Sequence, residues 1–177
     1  CGTPHQILEC AYEKAWTTYW WHEDFIKFSE LYTSIENLAK NTRNVYELEL
    51  ITNSWFLLYG MTVGGKFPDE VTLFQNRTET LFIELERLSK EENRPSTALQ
   101  AKTLFLQMQL ALKQYKKEPV DKVLNDLQDV IQRAQNLPGY PFEPLVEILT
   151  ELGEFLEGVP AYEALFETIV KISSAHK

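Results

Sequence analysis

Apolar residues recur three and four positions apart along nearly the whole chain, which is the spacing of one face of an α-helix. No segment shows a sustained alternation of apolar and polar residues, so we expect no sheet. The pattern predicts eight helices and an all-α fold class. Their apolar stripes begin at Leu8, Phe25, Leu48, Val71, Ala101, Val120, Leu145 and Tyr162.

Short breaks between these segments predict that the helices pair as antiparallel hairpins. Three of the breaks span only a few residues, around Trp21–Asp24, Lys116–Glu118 and Gly158–Pro160. The pairs start roughly 40 to 50 residues apart, a spacing that suggests helical repeats. The starts lie near Gln6, Tyr46, Thr97 and Phe142. Because two helices cannot bury both faces alone, each hairpin must stack on the next.

Several helix ends are also indicated by local chemistry. Asp24 suits the N-cap of the second helix, and Pro68-Asp69-Glu70 suits the first turn of the fourth. Glu118-Pro119 is predicted to open the sixth helix. The segment 137–141, in which two prolines flank a glycine, is predicted to stop it and to form a linker.

The predicted first hairpin contains aromatic residues at regular spacings in both of its helices. The sequence WTTY at 16–19 precedes HEDF at 22–25, and Phe28, Tyr32 and Ile35 follow. This stretch resembles one tetratricopeptide repeat, which places a small or aromatic residue and then a Tyr in its first helix and spaced aromatics in its second.

A second feature, the pair Leu152-Gly153, resembles the Leu-Gly pair of the same family. The resemblance implies a right-handed superhelical array of about eight antiparallel helices in four hairpins. We therefore predict one helical-repeat domain over residues 1–177. Because the chain has no initiator Met, we expect it to be part of a longer protein.

The composition of the chain limits the classes of partner that the protein can bind. The 177 residues are 44% hydrophobic and 24% charged, with a net charge of -9 at pH 7. An acidic chain lacks the basic patch that nucleic acid requires, and it is disfavoured at anionic membrane surfaces. No apolar run approaches the length of about 18 residues that spans a bilayer. The two cysteines, Cys1 and Cys10, exclude a disulfide framework and favour a reducing, cytoplasmic location.

One segment matches part of a phosphate-binding motif. Gly60–Lys66 satisfies GxxxxGK after the apolar run Trp55–Tyr59. The next residue should be Ser or Thr to hold Mg²⁺, but it is Phe67. We therefore interpret the segment as a helix end followed by a glycine turn. The alternative, a degenerate nucleotide-binding fold, requires a strand before the loop.

The sequence contains no metal or nucleophile signature. None of the three histidines, His5, His22 and His176, lies in a metal-binding motif. The run His22-Glu23-Asp24 is interpreted as a solvated turn that includes the N-cap. Cys10 and His5 are close in sequence, but a terminal helix is a poor place to pre-organise a catalytic dyad. We predict no cofactor and no enzyme activity.

The tryptophans are unevenly distributed. All four lie in the first third of the chain: Trp16, Trp20, Trp21 and Trp55. Neighbours on a helix point about 100° apart, so Trp20 and Trp21 cannot share the centre of one buried stripe. Two interpretations stay open: an aromatic seam between the first two hairpins, or a partner-binding patch, since Trp and Tyr are frequent interface anchors.

A second candidate lies on the fifth helix. Lys102, Leu106, Gln109 and Lys113 are predicted to lie opposite its apolar face, with two cations around an apolar residue. Such a strip suits an acidic peptide, whereas the alternative is an ordinary solvated helix face.

Our first functional hypothesis is a non-enzymatic scaffold or regulatory domain. It binds a protein or peptide in a groove lined by the first helices of the hairpins. The second hypothesis is a compact helical bundle that holds a small apolar ligand in an aromatic-lined pocket.

Overall fold

All regular structure in the computed structural model is helical. The structure describes residues 2–65, 67–68, 72–138, 140–156 and 158–175, and these ranges contain eight helices and no strand. The prediction of an all-α fold is confirmed. The helices are α1 (Pro4–Trp20), α2 (Phe25–Ala39), α3 (Val45–Val63), α4 (Phe74–Ser89), α5 (Pro95–Lys116), α6 (Asp121–Ala134), α7 (Glu143–Leu156) and α8 (Pro160–Ala175).

Two compact units divide the chain, Cys1–Leu88 and Ser89–Lys177. The first unit contains α1 to α3 and nearly all of α4, and the second contains α5 to α8. The single domain over residues 1–177 stays a prediction.

Polar side chains fix the starts of the first three helices. Thr3 and Gln6 form a capping box at α1, in which each side chain binds the other residue's backbone N–H. Asp24 accepts a 3.0 Å hydrogen bond from the Lys27 backbone N–H, so the predicted N-cap of α2 is confirmed. Asn44 caps α3 in the same manner.

One predicted helix start lies outside the described residues, one needs correction and one is confirmed. The fourth helix was predicted to open at Pro68-Asp69-Glu70, but residues 69–71 are not described, and the Thr72 backbone N–H donates to the Pro68 carbonyl at 3.4 Å. The described helix α4 begins at Phe74, directly after Leu73 with its φ of +50°. The sixth helix begins at Asp121 rather than at Glu118. The turn at Gly158–Pro160 is confirmed, since α8 begins at Pro160.

In the first unit, α1 packs against both α2 and α3, and α2 packs against α3. The α2 stripe is buried as predicted, with Phe28, Tyr32 and Ile35 fully shielded from solvent. Leu48 and Ile51 of α3 are buried as well. Burying such side chains contributes roughly 1.5–3 kcal/mol each, which makes this apolar interior the main source of stability.

A buried arginine ties α4 to α2. Arg77, only 3% exposed, donates hydrogen bonds to the Ser29 carbonyl (2.8 Å), the Thr72 carbonyl (2.7 Å) and the Thr33 hydroxyl (2.9 Å). Its guanidinium lies 4.6 Å from the centre of the Tyr32 ring, a cation–π contact. Burial lowers the pKa of Arg77, but a guanidinium stays protonated in proteins. These hydrogen bonds offset the desolvation free energy that burial of the guanidinium charge costs.

In the second unit, α5 packs against α6, α6 against α8, and α7 against α8. The hydroxyls of Tyr140 and Thr103 are 2.9 Å apart, and the Tyr162 hydroxyl donates to the Leu149 carbonyl at 2.7 Å. The Tyr162 contact crosses from α8 to α7 beside Gly153, where a Cβ would lie 3.0 Å from the Tyr162 oxygen. The absence of a side chain at Gly153 therefore permits this close approach.

Candidate functional site

A row of aromatic rings runs along α1. Tyr12, Trp16 and Trp20 are four residues apart, so they lie on one helix face. The ring centres of Tyr12 and Trp16 are 5.7 Å apart, and those of Trp16 and Trp20 are 5.9 Å apart. Trp16 is half-buried and Trp20 is 55% exposed, so the row emerges into solvent toward the helix C-terminus.

Trp21 extends the exposed aromatic area beyond the end of α1. It is the C-cap residue, and its backbone N–H donates to the Thr17 carbonyl at 2.9 Å. Its side chain is 80% exposed. In contrast, Tyr19 packs against Phe25 and Phe28 of α2, with ring centres 5.2 and 5.1 Å away. The tryptophans at this helix end are therefore left outside the packed hairpin.

The helix α3 lies beside α1, and its side chains contact those of α1 along the row of rings. The side chains of Tyr12 and Asn53 are joined by a hydrogen bond, and so are those of Glu9 and Tyr46. His5 contacts Glu47 at 3.1 Å between Nδ1 and Oε1. His5 and Glu9 both lie beside the first residues of α3, whereas Tyr12 lies beside Asn53 farther along it, so the two helices run parallel.

Five rings therefore form one exposed or half-exposed area on α1 and α3. We call it the aromatic surface, and its members are Tyr12, Trp16, Trp20, Trp21 and Tyr46.

Carboxylates surround the two tyrosines of the aromatic surface. Burial raises the pKa of Tyr12, the hydrogen bond with Asn53 opposes that rise, and the charge of Glu13 adds to it. The pKa of Tyr46 is raised by burial and then by the charges of Glu9 and Glu49. A phenol resists ionisation beside negative charge, because the phenolate that forms would be repelled by the carboxylates.

Trp55 does not belong to this surface. It is fully buried, and its Nε1 donates a 2.7 Å hydrogen bond to the Thr78 hydroxyl of α4. Its ring stacks on Tyr59 at 5.5 Å and on Phe74 at 5.3 Å. The prediction that Trp55 contacts a partner is therefore corrected: it lies on the opposite face of α3 from Tyr46, nine positions away and about 180° around the helix.

The strip predicted on α5 is not an exposed face. Leu106 is fully buried in the core of the second unit, and Gln109 is half-buried. Lys102 lies 5.1 Å from the centre of the Phe105 ring, and the Lys113 amine contacts a Glu118 carboxylate at 3.2 Å.

The reason lies in the packing around α5. Its buried residues point in nearly every direction around the helix axis, so it has no single apolar face for a strip to lie opposite. These residues are Ala98, Leu99, Ala101, Thr103, Leu104, Leu106, Met108 and Leu110.

The glycine segment after Trp55 ends a helix. The run Trp55–Tyr59 is helical, α3 continues to Val63, and Gly65 has a φ of +65°. Lys66 lies outside the described residues. The predicted helix end with a glycine turn is confirmed through Gly65, and the strand that a nucleotide-binding fold requires is not formed by Trp55–Tyr59.

A cavity of about 170 Å³ lies among α2, α3 and α4. Its floor is aliphatic and its rim carries charge, so it differs from the aromatic-lined pocket of our second hypothesis. Its lining consists of Glu36, Asn37, Ala39, Lys40, Leu48, Ile51, Thr80, Leu81 and Glu84. Burial raises the pKa of Glu36, while the charges of Arg77 and Lys40 oppose the rise.

Within the described residues, no three His, Cys, Asp or Glu side chains gather as metal ligands. No helix there is long and apolar enough to cross a bilayer. The Cys10 thiol is exposed, and His176 lies outside the described residues.

The sequence indicated part of the aromatic surface. The four-residue spacing of Tyr12, Trp16 and Trp20 is visible in the chain, and the angle between adjacent residues predicted that Trp20 and Trp21 do not share one buried stripe. That both are exposed was decided by the packing. Tyr46 had no such signal, because its position beside α1 depends on how the hairpins pack.

Comparison with known proteins does not add to these observations. No protein-family model matches the chain, and neither a curated protein nor a solved structure matches it.

Proposed function

We propose that this protein is a non-enzymatic helical-repeat scaffold that binds a protein or peptide partner through the aromatic surface. The observation that carries the proposal is the exposure of two adjacent indoles, Trp20 and Trp21, at 55% and 80%. Contiguous exposed apolar groups commonly mark interaction sites, and Trp is enriched among the residues that dominate binding energy.

The arrangement of helices supports a groove of the expected kind. The first helices of the first two hairpins, α1 and α3, are neighbours and both contribute to the aromatic surface. The tetratricopeptide-like array and the cytoplasmic location are parts of this proposal. The exposed Cys10 thiol is compatible with a reducing compartment.

The experiment compares three purified chains: wild type, the Trp20→Ala/Trp21→Ala variant and the control Ile83→Ala. Ile83 is also an exposed apolar residue of the first unit, but it lies on α4. Each chain is used for capture from native lysate, retained proteins are identified by mass spectrometry, and the affinity of the candidate is measured by calorimetry.

We expect the tryptophan variant to bind at least about tenfold more weakly, equivalent to about 1.4 kcal/mol, while the control binds as the wild type does. Circular dichroism and urea unfolding verify that both variants are folded. A captured partner that binds the tryptophan variant with unchanged affinity would contradict the proposal.

The cavity supports a second candidate function, the binding of a small ligand with an apolar body. A dry cavity of similar size can bind a molecule such as benzene. Titration with benzene, followed by amide chemical shifts, should perturb Leu48, Ile51 and Leu81 first. Uniform or absent shifts at millimolar ligand would exclude this candidate.

A further inference from the structure

The charged residues of the two helices that form the aromatic surface are mostly acidic. The helix α3 contains Glu47 and Glu49 and has no Lys, Arg or His between Val45 and Val63. The helix α1 contains Glu9 and Glu13, and its basic groups are His5 and Lys14.

Helix geometry places the α1 carboxylates beside the rings. At about 100° per residue, Glu9 and Glu13 lie within roughly 60° of Trp16 around the axis. Lys14 lies roughly 160° from Trp16, on the other side of the helix. The one lysine of α1 therefore does not neutralise the aromatic face.

Of the four glutamates on α1 and α3, His5 contacts only Glu9 and Glu47, near the starts of the two helices. Its Nε2 lies 3.4 Å from a Glu9 oxygen and its Nδ1 lies 3.1 Å from a Glu47 oxygen. Glu13 is exposed and forms no ion pair in the part of the chain that the structure describes. Its charge is therefore available beside Tyr12 and Trp16.

The helix ends add partial negative charge at the tryptophan end. A helix C-terminus carries roughly half a negative elementary charge, because its last carbonyls lack intrahelical partners. Both α1 and α3 end without a basic residue in the last turn. Because the two helices run parallel, these ends lie on the same side as Trp20 and Trp21.

A surface that combines aromatic faces with carboxylates favours a ligand that carries positive charge. A Lys or Arg side chain is attracted to the face of an indole ring, and its charge pairs with a nearby carboxylate. An acidic peptide would place its charge against Glu9, Glu13 and Glu49, and like charges brought together disfavour binding.

We infer that the aromatic surface receives a positively charged protein segment, with Lys or Arg side chains over the exposed indoles and beside Glu13 and Glu49. The inference rests on the proposed function and specifies the chemistry of its partner. Positive potential on the partner also accelerates its encounter with this acidic protein.

The test uses a displayed library of random dodecapeptides, selected against the wild-type chain. We expect the enriched peptides to be rich in Lys and Arg, interspersed with apolar residues. The strongest of them is synthesised, and its affinity is measured for the wild type, for Glu13→Gln/Glu49→Gln and for Trp20→Ala/Trp21→Ala. The matched control is Glu79→Gln/Glu163→Gln, which removes two exposed carboxylates from other helices.

We expect the Glu13→Gln/Glu49→Gln variant to bind the peptide about tenfold more weakly and to lose much of its salt dependence, while the carboxylate control is unchanged. The tryptophan variant should lose binding as well. Neutral or acidic enriched peptides, an unchanged affinity of Glu13→Gln/Glu49→Gln, or no enrichment at all would overturn the inference.

Two outcomes separate this inference from the proposed function. If enriched peptides are neutral and depend on Trp20 and Trp21, the surface binds a partner but not a cationic one. If binding is independent of both tryptophans, the proposed function fails too. Retention on phosphatidylcholine vesicles through the same indoles, in place of any peptide, would assign the surface to lipid and would also overturn the inference.

Discussion

The indole Nε1 of Trp55 donates a 2.7 Å hydrogen bond to the hydroxyl Oγ1 of Thr78, which joins α3 to α4 inside the first unit. Thr78 in turn donates to the Phe74 carbonyl at 2.7 Å. A buried indole N–H needs such a partner, because leaving it unpaired would cost the desolvation energy of the group. The contact satisfies the one polar atom of this buried side chain, whereas Trp20 and Trp21 are exposed to solvent.

Replacement of Trp55 by phenylalanine should therefore destabilise the protein. Trp55→Phe removes both the hydrogen bond and part of a packed ring, and we expect the free energy of unfolding to fall by about 1–3 kcal/mol. Trp21→Phe, on the surface, should change it by less than about 0.5 kcal/mol. Urea unfolding followed by circular dichroism measures both, and equal effects would mean that Trp55 is not a core residue.

Two buried tyrosines offer a matched comparison. The Tyr32 hydroxyl has no hydrogen-bond partner among the described residues, whereas the Tyr140 hydroxyl is 2.9 Å from that of Thr103. We expect Tyr32→Phe to raise the free energy of unfolding by about 1 kcal/mol, because it removes an unpaired buried polar group. Tyr140→Phe should lower it by about 1 kcal/mol. A loss of stability in Tyr32→Phe similar to that of Tyr140→Phe would show that the Tyr32 hydroxyl is paired.

The same tyrosines should make the fold sensitive to alkali. Burial raises the pKa of both Tyr32 and Tyr140 above the ordinary value of 10.0, and the hydrogen bond with Thr103 only partly opposes the rise at Tyr140. Above about pH 10 the unfolded chain releases phenolic protons that the folded chain retains, so the free energy of unfolding decreases with pH. Their contribution is fully present below pH 10.

Urea unfolding across the alkaline range measures this dependence. The decline in stability should be shallower in Tyr32→Phe than in the wild type, because one raised pKa has been removed. An identical slope in the two chains would assign the alkaline sensitivity to other groups.

The close approach of Tyr162 to Gly153 predicts coupling between these positions. Alanine is better than glycine in a helix by about 1 kcal/mol, but a Cβ at 153 would lie 3.0 Å from the Tyr162 oxygen. We expect Gly153→Ala to stabilise the protein in a Tyr162→Phe background and to destabilise it, or leave it unchanged, in the wild type. A double-mutant cycle should give a coupling of about 1 kcal/mol, and additive effects would contradict it.

Local chemistry decided most of the secondary structure, so the sequence could predict it. Helical spacing located eight helices, Asp24 specified a cap, and the glycines after Val63 specified a stop. The angle of about 100° between successive residues was also enough to predict that Trp20 and Trp21 could not share the centre of one buried stripe, but it did not decide between a seam and an exposed patch. Each of these features depends on residues within a turn or two of one another.

Which helix faces are covered depended on packing between distant segments. Leu106 lies inside because α5 is buried on most sides, and Arg77 is buried because α2 supplies a carbonyl and two hydroxyl acceptors. Tyr46 meets the α1 surface only because α3 runs parallel beside it. Periodicity identifies the apolar face of a helix, but long-range contacts determine what that face touches, and only the tertiary structure contains those contacts.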